Sequence, residues 1–568
     1  MHILTTLTGI IGSVVDGMVT GKYLGETSMA AFGFTTVVTL IISITGSVLS
    51  TGSSLINSKK LGEGDLEDTR RSFSACLTMT VITTVFLAFF IFLFAKPAAR
   101  LAGADGILVQ PAVDYIKGYA IASPAIILFA LLMPILQMDG ERNKLLLSVV
   151  VMTSSDIVLD FLNALVLHKG MFGMALATAI SYYASLIILI PHFLKKNVIF
   201  SRPKPLVSFP VLWQMVRGGL PTGSNQLGRL IMSFVINRYL MFLGGAPAVA
   251  ANAVILSAGH LCLIPGTAIS STTQILAGVF YGEEDRKGLE SVLDTALRYA
   301  VLVDVALVLL FELFASPVIV LFYTQGAEGL SLAVAGFRLY ALCMPFYGMN
   351  VAFRAFSQAT GQQKETYIIT FFDGLIGPLI CAFLLGQLWG LQAVWLCYAL
   401  GESIVLAVII VAFRRRNPEI RTAKAVAPIP KELGNDVEAE FQASISNNDL
   451  KEITDASIRV KTFCKEHKAD DRTAFFLALS VEESCGNIIE RGFADGKPHQ
   501  LHLRILKKKG EWILRLRDDC EHFDPIDYME QFSDDDPASN IGLKVLRGIS
   551  KEMTYLNTLK LNNLIVKI

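Results

Sequence analysis

Lys59 to Ser72 reads KKLGEGDLEDTRRS, and Gly278 to Ser291 reads GVFYGEEDRKGLES. Each stretch follows a long apolar run, and the two lie about 220 residues apart. A second pair keeps the same offset: LQMDGERNK (Leu136 to Lys144) and SQATGQQKE (Ser357 to Glu365). Self-similarity at one fixed offset marks a duplicated structural unit. Around these markers, apolar stretches long enough to cross roughly 30 Å of hydrocarbon recur up to residue 413. Twelve are read, with approximate limits 2–20, 30–57, 73–95, 111–136, 145–167, 171–193, 211–243, 247–280, 292–323, 331–357, 366–388 and 391–413. Six fall in each copy. An even number per copy makes the repeats parallel, related by an axis along the membrane normal, with the substrate path expected between them. The predicted fold of residues 1–415 is therefore an all-α polytopic membrane domain of two six-helix lobes, with repeats at about 1–200 and 201–415.

Composition agrees. The 568 residues are 53% hydrophobic and only 17% charged, too apolar for a soluble chain of this size. A formal net charge of zero argues against a nucleic-acid binder, which needs a basic surface against phosphates. The eight cysteines show no C-x-x-C pair or nearby histidine cluster and read as small apolar fillers. No cleavable signal is expected, because the first apolar run passes directly into further spans and lacks a basic flank. Basic residues of the short loops, among them Lys59, Lys60, Arg70, Arg71, Arg142, Lys195, Lys196 and Arg414 to Arg416, fall on one side. The positive-inside rule then puts both chain ends in the cytoplasm. Span seven begins about ten residues before Pro221, whereas the matching proline of span one would precede Met1. The first helix is either short or clipped by the stated start.

Ionisable groups inside spans are costly and are functional candidates by default. Asp16 lies in GSVVDGMVTGKYLG (Gly12 to Gly25). Span five, VVVMTSSDIVLDFLNALVL, carries Asp156 and Asp160 four apart and Asn163 three further on, which share one helix face. Span six adds Thr178, whose hydroxyl can coordinate a small cation or bond a carboxyl. By the repeat offset Asp16 maps near Asn237, and Asp156 and Asp160 near Gly377 and Cys381, so the acidic set belongs to the first lobe. Asp304, Glu312, Asp373 and Glu402 read as isolated secondary candidates.

These stretches resemble the MATE (multidrug and toxic compound extrusion) antiporters over about residues 1–415. The likeness rests on D-G-M-V-T-G-K-Y-L-G, L-G-E-G-D, Q-M-D-G, Q-A-T-G-Q, D-I-V-L-D and G-M-A-L-A-T. It implies export of organic cations or other amphipathic compounds across a bacterial cytoplasmic (inner) membrane in exchange for Na+ or H+. The ion-coupling residues it implies are Asp16, Asp156, Asp160 and Thr178, with Asn163 beside them; Asp16 and Asp160 would hold Na+ in a sodium-coupled protein. Asp156 departs from the asparagine common in the family. Clustered buried acids cannot all ionise without a counter-ion, so proton or Na+ binding can bias one conformational state. Two other readings stand. One is a lipid-linked oligosaccharide flippase, kept open by Arg229, Arg238, Arg338 and Arg354; the other is a membrane receptor with a kinase-like output domain.

After Arg416 comes a linker, 416–432, with three prolines and no apolar period, and composition turns ordinary from Leu433. Ala474 to Phe493 (AFFLALSVEESCGNIIERGF) reads as an amphipathic helix with Glu483 and Asn487 on one face. With ILRLRDDCEHFDPIDY and ASNIGLKVLRGISKEM, this stretch resembles the GHKL ATP-binding α/β sandwich of anti-sigma-factor serine kinases of the RsbW type, over 433–568. The resemblance implies Glu483 as the catalytic carboxylate, Asn487 as Mg2+ ligand, Asp518 as adenine ligand, Gly542 in the lid, and an anti-sigma-antagonist-like protein partner. Cys520 stands where that pattern has glycine, and Arg491 where it has histidine. No G-x-x-x-x-G-K-[ST] loop occurs, so the domain is expected to regulate transport and not to energise it.

Overall fold

The computed structural model describes residues 15–568 apart from 17, 196–197, 323–326, 417–428, 446–449, 494–496, 498, 521–523 and 527–540. Most of the first apolar run, most of the linker and the segment ahead of Gly542 lie outside the described residues. The chain divides into a helical unit, residues up to Leu136 with Glu141–Pro430, and a mixed unit, Lys431–Ile568 with the short stretch Gln137–Gly140.

The helical unit contains α1 (Glu26–Glu63), α2 (Leu66–Leu93), α3 (Ala95–Leu101), α4 (Val109–Met138), α5 (Arg142–Leu162) and α6 (Gly170–Phe193) in its first half. The second half has α7 (Phe209–Gly282), α8 (Arg286–Phe322), α9 (Ala327–Ala341), α10 (Met344–Ala359), α11 (Gln363–Phe371), α12 (Gly377–Trp389) and α13 (Cys397–Arg416). Among the described residues nine helical stretches are long and apolar enough to cross a membrane, or ten when α9 and α10, bent by 44°, count as one span. The expected runs 211–243 and 247–280 merge into α7, whose 74 residues would reach roughly 110 Å at 1.5 Å per residue. Gly245 (φ 66°, ψ −160°) breaks α7 between those two runs. Most helices extend past their apolar cores, because backbone hydrogen bonding continues beyond the hydrocarbon edge while hydropathy does not.

The repeat is visible in local geometry. Asp65 caps α2 by accepting from Asp68 N at 2.9 Å, and Asp285 caps α8 by accepting from Gly288 N at 2.9 Å. Gly140 and Gly361 both end helices with positive φ, 72° and 76°. The motif glycines Gly62 and Gly282 also face each other's helices. A Cβ on Gly62 would stand 2.0 Å from Val279 O, and one on Gly282 would stand 2.1 Å from Lys59 O. The two copies therefore cross backbone against backbone at their duplicated motifs, a close approach that glycine alone permits.

The second unit holds one antiparallel five-stranded sheet, ordered β1-β2-β3-β5-β4. Its strands are β1 (Val437–Ile445), β2 (Leu501–Lys508), β3 (Glu511–Asp518), β4 (Glu552–Thr558) and β5 (Leu561–Lys567). Helices α14 (Leu450–Glu466), α15 (Asp471–Gly492) and α16 (Ile541–Ile549) accompany it. Asp470 caps α15 through Thr473 N at 2.6 Å, starting the expected helix three residues early. Val460, Leu477, Val481 and Cys485 of the helices pack on Leu503, Leu514, Leu516 and Val566 of the sheet. Along β3, Trp512, Leu514, Leu516 and Asp518 alternate onto the buried face. Pleat alone thus carries the terminal carboxylate into the interior.

Candidate functional site

In the first lobe the predicted acids converge. Asp160 is fully buried and Asp156 nearly so. The carboxyls of Asp16 and Asp160 lie within hydrogen-bond reach of each other. Among the described residues, neither oxygen of Asp160, nor Oδ1 of Asp16, meets any N–H or O–H donor. Two carboxyl groups in contact need a proton or a cation between them, because two buried bare charges would repel at large cost. Asp156 sits differently: its Oδ1 accepts from Ser181 Oγ at 3.1 Å, and the Thr178 hydroxyl also bonds this carboxyl.

Asn163 turns away from this group. Its Oδ1 accepts from Lys169 N at 3.1 Å and its Nδ2 donates to Gly170 O at 3.0 Å. Its amide holds the π-turn Asn163–Leu167 and the start of α6. Gly173 makes room for it, since a Cβ there would lie 1.9 Å from Asn163 Oδ1. Sequence reasoning missed the wall of the site. Tyr115, Tyr119 and Tyr182 stand close enough to feel the acids' charge, and Tyr115 stacks on Tyr119 at 5.6 Å. The available signal was Tyr115 and Tyr119 four apart on one face of a largely apolar helix. Among the described residues, no three His, Cys, Asp or Glu side chains form a metal-holding cluster. The acids present an open pair, not a closed coordination shell.

The second lobe corrects the expectation that its acids are isolated. Asp373, wholly buried, meets Arg354 Nη1 at 2.8 Å and accepts from Asn225 Nδ2 at 3.2 Å. Arg229 Nη2 lies 3.6 Å from Asp373 and 3.8 Å from Glu402. Glu402 accepts from Asn350 Nδ2 at 2.7 Å and is itself in carboxyl contact with Asp373. The guanidinium of Arg229 lies over the Tyr347 ring at 5.0 Å. Asp304 is buried with neither oxygen bonded, while Glu312 pairs with Arg338 at 3.7 Å on a half-exposed surface. Of the four arginines named for a flippase cavity, Arg229 and Arg354 meet at Asp373, Arg338 pairs with Glu312, and Arg238 is exposed.

In the second unit, Glu483 and Asn487 are half-buried one turn apart on α15, and Asn487 Nδ2 donates to Glu483 O at 2.7 Å. Its amide oxygen is thereby left for another partner. Asp518 is buried, and Oδ1 accepts from Asn562 Nδ2 at 2.6 Å, Cys520 Sγ at 2.7 Å and Cys520 N at 3.3 Å. Burial pushes the Asp518 carboxyl above its ordinary value, against the lowering effect of those donors. Asn562 is Asp518's register partner across β3 and β5, and Tyr555 Oη and Asn557 Nδ2 both donate to its Oδ1. Cys520 fills the space beside Gly492, where a Cβ would stand 2.3 Å from its sulfur. Gly542 lies in the first turn of α16.

A family model described as MatE matches residues 2–162 and 221–384. Among curated proteins, the probable multidrug resistance protein YoeA of Bacillus subtilis is 23% identical over 427 residues, covering 72% of this chain and 90% of that protein. The multidrug export protein MepA of Staphylococcus aureus is 22% identical over 431 residues, covering 73% and 93%. A solved outward-facing conformation of a multidrug resistance MATE family transporter of the MOP superfamily superimposes with a TM-score of 0.67 at 24% identity, covering 73% of this chain and 93% of that one.

Proposed function

This chain belongs to the MatE family of MATE multidrug efflux transporters, and on that premise we propose that it is a secondary-active antiporter exporting amphipathic or cationic compounds in exchange for protons. The observation that carries the reading is the Asp16–Asp160 carboxyl contact with no donor to neutralise it. A single proton held between the two acids removes the charge penalty, and losing it reinstates that penalty. A conformational equilibrium that hydrates or encloses the pair is therefore biased by proton occupancy, and substrate acts on the same equilibrium from the other side. Asp156, held by Ser181 and Thr178, lies beside the pair as a third acid of the same cluster. The orphaned oxygens of Asp16 and Asp160 also fit Na+, which stands as the alternative coupling ion.

Twelve spans remain the count this reading carries, against nine or ten candidate spans among the described residues. The nine continuous stretches, the bent α9–α10 pair and the second half of α7 make eleven, and the first run lies ahead of α1. The basic loops orient both ends to the cytoplasm of a bacterial cell. The second unit reads as a nucleotide-binding regulatory domain of GHKL type. Asp518, Asn487 and Gly542 would receive adenine, Mg2+ and phosphate, and Glu483 is the carboxylate available for kinase chemistry on a protein partner. The buried Asp518 and the open Asn487 amide oxygen fit such a ligand.

Proteoliposomes decide the coupling. Efflux of a fluorescent amphipathic cation is expected to follow an imposed pH gradient and to disappear in Asp16→Asn, with the variant still monodisperse. Efflux driven by Na+ alone selects the alternative ion, and unchanged Asp16→Asn efflux rejects the assignment.

A further inference from the structure

The second lobe contains more positive charge than its own acids neutralise. Arg229 and Arg354 face Asp373 and Glu402, and the two carboxyls touch each other. Carboxyls in contact share a proton, so two guanidiniums face one net negative charge. One positive charge is left over in a bundle interior where uncompensated charge is costly. The donors are also under-used. Among the described residues, Nε–H alone of the five N–H groups of Arg229 has an acceptor, Asn225 Oδ1 at 3.3 Å. Its buried Nη2 has none, because both neighbouring carboxylates stand beyond hydrogen-bond distance. Arg229 nonetheless keeps 26% of its side chain exposed and Arg354 keeps 13%, so an entering group can approach the two guanidiniums through atoms other than the buried Nη2.

We propose that Arg229 and Arg354 form a binding site for the carboxylate of an amphipathic substrate. A planar carboxylate matches the guanidinium fork and supplies both the missing acceptors and the missing charge. The first lobe, with three acids and no base among them, suits the opposite role of holding the coupling cation. Binding at the second lobe is linked to its own proton. When Asp373 and Glu402 share one proton, a ligand's carboxylate completes neutrality. When that proton leaves, the second internal carboxylate takes the ligand's place. The charged or titratable groups around the pair are Arg229 on α7, Tyr340 on α9, Cys343 between α9 and α10, Tyr347 and Arg354 on α10, and Tyr398 on α13. Asp304 on α8 approaches through Cys343. Only the two acids and two arginines exchange ion pairs or a shared proton among the described residues.

The inference rests on the antiporter reading for the ligand's route, so the test is equilibrium binding, which needs no gradient and fails or succeeds independently of transport. A dansyl-labelled long-chain carboxylate, its methyl ester and a quaternary ammonium of the same length are titrated against the purified full chain. The carboxylate is expected to bind at least tenfold more tightly than the ester, and its affinity to fall as pH rises, approaching tenfold per unit. Arg229→Gln is expected to abolish the carboxylate preference while ammonium binding persists. Where Arg229→Gln is not monodisperse, Arg229→Lys keeps the charge, loses the fork and is expected to lose most of the preference. Equal binding of carboxylate and ester by the wild-type chain overturns the site. A preference that is flat with pH overturns the proton linkage.

Discussion

Gly348 leaves no room for a side chain, since a Cβ there would stand 2.2 Å from Oδ2 of Asp304. Gly348→Ala is expected to destabilise the protein by about 1–3 kcal/mol through overpacking, read as a lowered melting temperature. Asp304→Ala in the same chain should recover most of that loss, because the clash is pairwise. The acid was conspicuous in the sequence, as charges in apolar runs always are, but its neighbour lies 44 positions later and was not. The same limit hid the contacts of Asp373 and Glu402. Asp16, Asp156 and Asp160 were legible because helical spacing and a shared lobe already grouped them. The tyrosines beside them were not, because an aromatic ring in a span packs equally well against lipid. Asp518 carries a pH prediction. Its carboxyl titrates above the ordinary value of about 3.9, so the folded second unit holds a proton that the unfolded chain has already released. Stability contributed by the neutral acid is full below the ordinary value and is lost as pH rises through the raised one. Tryptophan-monitored melting of this unit should fall over that window, and Asp518→Asn should flatten the fall; an unchanged slope would exclude Asp518 as its source.

Helix crossings are decided by backbone distance, which hydropathy cannot report. The sequence repeat disclosed that two copies exist, and it also held the glycines at which α1 and α7 meet. That Gly62 and Gly282 meet each other's helices emerged only from the packed copies. These glycines sit at the ends of α1 and α7 that lead into basic loops. Gly282→Ala places a carbon 2.1 Å from Lys59 O and must push the helices apart. The variant is expected to loosen this crossing. Ser58, fully buried and next to Gly278 in this crossing, is the reporter: Ser58→Cys should react faster with a thiol reagent in the Gly282→Ala background. Equal rates would mean that the crossing does not loosen. Gly245 is a different case. Nothing but Pro247 Cδ, at 3.8 Å, would meet its Cβ. Its φ of 66° with ψ of −160° lies in a region that other residues rarely enter. Gly245→Ala should therefore cost about 1–3 kcal/mol from backbone strain alone, measured as a lowered melting temperature without loss of packing.

At the scale of the whole molecule, the division into an apolar part and an ordinary soluble part was legible from composition, because water and hydrocarbon impose different residue usage. The strand order β1-β2-β3-β5-β4 was not, since antiparallel partners are chosen by long-range packing. The division itself makes a statement about energy. The second unit closes its apolar core on itself, from Val460 on α14 to Val566 on β5. The buried carboxyls on which coupling would depend all lie in the helical unit. If the ion gradient drives export, a chain ending at Pro430 should sustain pH-gradient-driven efflux in proteoliposomes, and ATP outside or inside the vesicle should add nothing to it. If the second unit instead sets the transporter's conformational bias, the full chain should show an ATP-dependent change in rate that Asp518→Ala removes and truncation abolishes. Loss of gradient-driven efflux from a monodisperse truncated chain would overturn both statements, because energy or an obligatory conformational step would then reside beyond Pro430.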